Sequence, residues 1–194
     1  MRLPGCARRT ALACSWNTET ARKEVMKISI NNLLFSLLSL CALGAGPLRA
    51  QEATFSTRSL TPESALKVAQ AALKKCRDDG FQVAVAVVDR SGITQVMLRD
   101  RFAGPHTPAM AEDKAWSAVT FRTNTADIDR ATQPGMQQSG IRHRPRVVVV
   151  AGGMIIEGAG SLLGGIGVSG APAGDRDDVC AKAGIAAIQD SIDF

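Results

Sequence analysis

Residues 145–178, PRVVVVAGGMIIEGAGSLLGGIGVSGAPAGDRDD, decide the fold. The apolar run Val147–Val150 has the length of a buried strand. It meets a Gly152-Gly153 turn, a second apolar piece around Met154–Ile156, another glycine-rich turn, and a third strand candidate ending in Gly167-Val168-Ser169-Gly170. Three strand candidates with no helix between them predict an antiparallel meander, and they argue against a nucleotide-binding βαβ unit despite the glycine content. Gly152-Gly153 and Gly164-Gly165 suit hairpin turns and close sheet-to-helix contact, or a backbone-lined pocket floor near Ser169-Gly170.

Downstream, Asp175–Ile192 predicts a closing helix, with Asp175, Asp177 and Asp178 in a first turn where the helix dipole favours acids. Upstream, Thr61-Pro62-Glu63 is a helix start: a cap, a proline at the first helical position and an acid facing the dipole. Ala65, Leu66, Ala69, Ala72, Leu73 and Cys76 then recur at helical spacing until Asp79-Gly80. Phe81–Asp89 and Ile93–Arg99 read as a hairpin around Arg90-Ser91-Gly92. Thr107-Pro108 starts a second helix by the same cap logic, reaching about Phe121. Thr125 caps a shorter helix, Ala126–Gln133, and 134–145 is an irregular polar connection. The expected order is α-β-β-α-α-β-β-β-α.

The first fifty residues belong to another category. Residues 1–25 read as an upstream extension. Met26-Lys27 then opens a short n-region, Leu33–Leu43 is an apolar h-region, and Pro47-Leu48-Arg49-Ala50 offers a cleavage point, the pattern of a secretory signal peptide. The apolar run falls short of the roughly 20 residues that span a bilayer. Export to a periplasmic or extracellular compartment is the expectation, with 51–59 as linker and 60–194 as one domain. Residues 1–50 hold seven Lys or Arg against two Glu, a net of +5 that equals the charge of the whole chain, so residues 51–194 are balanced. A neutral domain has no electrostatic footprint for nucleic acid.

Cys76 and Cys180 each fall on the expected buried face of a helix. Burial preference reads them as two small core hydrophobes, while an oxidising compartment permits a disulfide. The chain has no CxxC, HExxH or paired Cys/His spacing of the kind that builds a structural zinc site.

The segments VAVAVVDRSG (83–92), A-x-x-K-A-x-x-A (Ala111–Ala118) and GGIGVSGAPAGDRDD (164–178) together resemble the GlcG/HbpS family. That family is also called the haem-degrading or DUF336 domain and includes the C-terminal domain of PduO-type cobalamin adenosyltransferases. The similarity runs over essentially all of 60–193, and the last segment is its specific part. The resemblance implies an α+β, profilin-like architecture: a five-stranded antiparallel sheet with helices on both faces, assembled into homo-oligomers. It also implies haem or a similar flat tetrapyrrole as ligand.

Haem iron is held by His, Cys, Met or Tyr, and this chain has two His and no Tyr. His106, in a loop stiffened by Pro105 and Pro108 before the second helix, is the candidate axial ligand. Thr107 beside it is the expected cap. In the family this loop reads R-x-D-G-A; Arg99 and Ala103 fit, while Arg101 and Phe102 stand where Asp and Gly are expected. Phe102 adds an aromatic face that could stack on a ring. His143 lies in a basic knot with Arg142, Arg144 and Arg146, which suits either carboxylate pairing or a solvated strand end. Lys114 suits an anionic group in a cleft or a salt bridge. Asp175, with Asp177 and Asp178, could face Lys114 or Arg99, but three acids in one helical turn do not all point one way, so support for a divalent metal is weak.

Three functions follow. The first is a secreted haem or tetrapyrrole binder, using a cleft between 103–114 and 169–178 built from His106, Thr107, Arg99, Phe102, Lys114, Ser169, Gly170 and Asp175. The second is an enzyme on a small organic acid or carbonyl compound, with Lys114, Arg99 and Asp175 as polar groups. The third is a non-catalytic partner of a sensor protein. No nucleophile-base pair, redox motif or phosphate loop stands out, which favours binding over catalysis.

Overall fold

Thr61, Pro62 and Glu63 start the first helix as their sequence predicts, in a computed structural model that describes residues 53–193. The extension and signal peptide read at 1–50 lie outside the described residues, and 53–59 are exposed without helix or strand. The first helix, α1 (Pro62–Asp78), is capped by Thr61 Oγ1, which accepts from the Ser64 amide at 3.2 Å. Its buried stripe is Ala65, Val68, Ala69, Ala72, Leu73 and Cys76. Then come β1 (Ala84–Asp89), β2 (Thr94–Arg99), α2 (Thr107–Phe121), α3 (Thr125–Ala131), a 3-10 turn (Ser139–His143), β3 (Gly153–Gly158), β4 (Ser161–Ser169), α4 (Gly174–Ala186) and the short α5 (Gln189–Ile192).

The sheet is antiparallel throughout, in the order β2-β1-β4-β3, with Val87 opposite Val96, Ala84 opposite Ser169, and Gly153 opposite Gly167. It has four strands where five were expected. The missing strand is the run Val147–Val150. Arg146 turns the chain into the left-handed region at φ 67°, and Gly152 turns it again at φ 115°. Between them the Val148 amide donates to Ser117 Oγ at 2.9 Å, so a side chain of α2 takes the hydrogen bond that a neighbouring strand would have taken.

Helices cover both faces. On one, Val85, Val87, Ile156, Ile166 and Val168 pack against α1 and α4; on the other, Ala84, Ala86 and Val88 meet Ala111, Ala115 and Val119 of α2. The second layer is thin because β4 offers α2 glycines: a Cβ on Gly167 would sit 1.9 Å from the Ala111 carbonyl oxygen. Gly165 and Gly153 serve the same close packing, against Val119 and the Lys114 carbonyl, while Gly164 meets the Val88 carbonyl and Leu60 in the other layer.

Three local expectations change. Cys76 and Cys180 are core residues, each fully buried, and they are also disulfide-bonded with Cα atoms 5.5 Å apart, joining α1 to α4. Thr125 is the first residue of α3 rather than its cap, because its hydroxyl is taken by β3: it accepts from the Gly153 amide at 2.9 Å and donates to the Gly153 carbonyl at 3.3 Å. The expected single helix over 175–192 breaks after Ala186, where Ile188 and Ile192 turn into the core. Among the described residues no helix is long and apolar enough to cross a membrane.

Candidate functional site

A cleft of about 610 Å³ opens at the end of the sheet where β4 finishes, between the loop before α2 and the turn before α4. His106, Thr107, Phe102, Lys114, Ser169 and Gly170 all line it. The sequence reading had placed these residues in one recess, and the structure brings them together there.

The loop from β2 to α2 is held by short-range bonds. The Asp100 amide donates to Val83 O at 3.0 Å, Ala103 N to Asp100 O at 3.1 Å, and Thr107 N to Gly104 O at 3.0 Å. The Thr107 hydroxyl also donates to the Gly104 carbonyl, at 2.8 Å, so Thr107 is the first helical residue and ties the loop down. The cap position falls to His106, whose side chain makes no capping hydrogen bond. Its ring folds over Gly104: a Cβ there would lie 2.7 Å from His106 Cε1 and 2.9 Å from Nδ1, so a larger residue would push the imidazole aside. Phe102 is 79 % exposed at the rim, with Met110, Phe81 and Val150 supplying further apolar lining.

The floor is polar. Lys114, 2 % exposed, donates through Nζ to Asp177 Oδ2 at 2.8 Å and to the Val168 carbonyl at 2.9 Å. Asp177 Oδ1 accepts from the Ala171 amide at 3.1 Å. Gly152 makes space for the pair, since a Cβ there would lie 2.7 Å from Lys114 Nζ, and its amide donates to Asp178 Oδ1 at 2.6 Å. Burial pushes the Asp177 carboxyl above the ordinary carboxylate range, against the pull of Lys114, and burial likewise raises Asp178 against its bond from Gly152.

Two expected site residues are elsewhere. Arg99 does not line the cleft; its guanidinium donates to the Ala103 carbonyl and braces the loop from outside. Asp175 is turned to solvent, its side chain 76 % exposed, and Asp177 takes the place beside Lys114. The sequence did carry the signal for this exchange. Asp177 lies three residues before buried Cys180 and four before buried Ala181, on the same helical stripe, whereas Asp175 lies off it. The grouping of Lys114, Arg99 and Asp175 needed by the enzyme reading is therefore not assembled. His143 is exposed and does not line the cleft. Its neighbours are engaged locally: Arg142 pairs with Asp129, and Arg146 with Glu112 and Asp113 while lying 5.0 Å from the Trp116 ring centroid.

The arrangement suits a flat, partly apolar guest. An imidazole without a capping bond stands at the mouth, an exposed aromatic ring stands beside it, and the loop carrying both is held by its own hydrogen bonds. Haem iron needs one such protein ligand, so these residues fit that group. Among the described residues no group of three His, Cys, Asp or Glu is placed to hold a bare metal ion.

Fold and site together define a small α+β domain with a ligand-sized recess at a sheet end. The family model described as haem-degrading protein HbpS-like matches residues 60–186, and the chain belongs to that family. Corrinoid adenosyltransferase PduO of Citrobacter freundii is 32 % identical over 132 residues, 67 % of this chain and 39 % of that protein, so the chain spans about two fifths of this curated relative. A crystal structure of a double mutant of Streptomyces reticuli HbpS is similar at 38 % identity and TM-score 0.66, covering 74 % of this chain and 97 % of that one. A crystal structure of a PduOC:haem complex is similar at 30 % identity and TM-score 0.63, covering 67 % and 95 %.

Proposed function

We propose that this chain is a haem-binding protein, or a binder of a closely related tetrapyrrole, with His106 as the axial ligand. The observation that carries the proposal is the cleft itself, where His106 and the exposed Phe102 share one opening. The likeness to a protein solved as a haem complex supports it. Haem, when bound, supplies a redox-active iron. The chain's own residues hold and orient it: Thr107 and Gly104 fix the loop, His106 presents its imidazole, and Phe102, Met110 and Val150 offer apolar contact.

The same reading places the protein in an oxidising compartment after export, as a homo-oligomer that could serve a sensor. The Cys76–Cys180 disulfide supports the compartment, because such bonds persist where thiols are not kept reduced. Titration of the purified protein with haemin tests the function. A saturable Soret band that is lost in His106→Ala supports it, and a spectrum identical to free haemin at every ratio refutes it.

A further inference from the structure

The floor of the cleft carries hydrogen-bond donors that the fold does not use. Ser169 is 6 % exposed and lines the cleft, yet its hydroxyl has no hydrogen-bond partner among the described residues. Lys114 Nζ has three protons and directs two of them, to Asp177 and Val168. The helices α2 and α4 both begin at this cleft, through His106, Thr107 and Gly174, and neither has a capping side chain. On α4 the Gly174 and Asp175 amides are without a partner among the described residues, while Arg176 and Asp177 donate to the Ala173 carbonyl; on α2 Thr107 donates to Gly104 and Pro108 has no amide proton. Both helix dipoles put their positive ends here.

The acids nearby are turned to solvent or already engaged. α2 has none in its first turn. On α4, Asp175 faces solvent, Asp177 is neutralised by Lys114, and Asp178 is bonded to the Gly152 amide. What remains unspent is a set of donors with no matching acceptor. We propose that this floor is a carboxylate subsite, in which Ser169 Oγ, the third proton of Lys114 and the first amides of α4 receive an anionic oxygen pair. The proposal rests on the cleft being the ligand site argued above, and it adds the chemical group held at its base. That carboxylate could belong to a tetrapyrrole side chain or to a free small organic acid.

Amide NMR of the labelled protein titrated with sodium propionate, against sodium chloride at equal ionic strength, tests the subsite. Saturable shifts are expected at Gly170, Gly174 and Asp175, with affinity about tenfold weaker in Ser169→Ala, the scale of one hydrogen bond to a charged group. Haemin and its dimethyl ester are titrated in parallel by Soret absorbance. Propionate shifts together with a preference for haemin over the ester assign the carboxylate to the tetrapyrrole. Propionate shifts with equal binding of the two, or with neither binding, assign it to a free acid; in the last case the haem reading fails and the subsite stands. Shifts that do not saturate, or an unchanged affinity in Ser169→Ala, overturn the subsite whichever form of haemin binds.

Discussion

Lys114 and Asp177 meet 2.8 Å apart, and each side chain is almost wholly buried. They belong to helices on opposite faces of the sheet, so the pair closes around the sheet end where β4 stops. It is at once the floor of the cleft and the tie between its two walls. In this setting the attraction between the charges competes with the cost of removing both from water.

Removing one partner leaves an uncompensated buried charge. Asp177→Asn and Lys114→Met should each lower stability by about 3–5 kcal/mol. The double variant Lys114→Met/Asp177→Leu should lose much less than the sum of the two. Urea unfolding followed by circular dichroism measures all three, and additive losses would show that the two residues act independently.

Asp178 gives a pH-dependent signature. Burial raises its folded carboxyl above the ordinary 3.8, so the folded state binds this proton more tightly than the unfolded chain does. Its contribution to stability is therefore fully present below the unfolded value and is lost as pH rises through the folded one. Asp178→Asn removes that contribution. Thermal melts between about pH 7 and about pH 4 should show wild type gaining on the variant as pH falls. A gap that is constant, or that narrows with acid, contradicts the assignment.

The sequence made the elements legible where one residue carried one role. Thr61-Pro62 could only start a helix, and Gly80 and Gly92 could only turn the chain. It misled where a residue had a choice of partner. Val147–Val150 has the composition of a strand, but its amide is taken by Ser117, more than twenty-five positions upstream, and no local pattern encodes that. Thr125 looked like a cap because a lone threonine before a helix usually is one; β3 claimed its hydroxyl instead. The site was legible to the extent that loop and glycine motifs converge on it. The exchange of Asp175 for Asp177 was a question of helical phase, which the buried cysteine on the same helix could have settled.

The disulfide closes a long loop, with its cysteines 104 positions apart, and in the chain-entropy view a loop of that length contributes about 4–5 kcal/mol. Cys76→Ser/Cys180→Ser, or reduction under mild denaturant, should lower the urea midpoint accordingly. Because α4 also carries Asp177, the same variant should weaken haemin binding. Unchanged stability in reducing buffer would mean that the bond is not formed in the protein as isolated.

Gly167 tests the thin second layer. A methyl group here would meet the Ala111 carbonyl and the Ala115 amide, both backbone, so no side-chain rotation relieves it. Gly167→Ala should cost about 3 kcal/mol and lift the start of α2 from the sheet. The control is Gly135→Ala, where a Cβ would meet nothing but the φ of 86° alone opposes it, at a smaller cost. Equal losses at the two positions would remove close packing as the reason for the β4 glycines.

Phe102 separates ligand contact from folding. A side chain 79 % exposed contributes little to the core, so Phe102→Ala should leave the unfolding midpoint within about 0.5 kcal/mol of wild type. If its ring lies on a planar ligand, however, the loss of that face should weaken haemin binding by about three- to tenfold. If His106 holds the iron, the Soret position should be kept while its midpoint moves to higher haemin. A matching loss of band position in Phe102→Ala would instead mean that the ring orients the imidazole, which it could do only by holding the loop that Thr107 and Gly104 anchor.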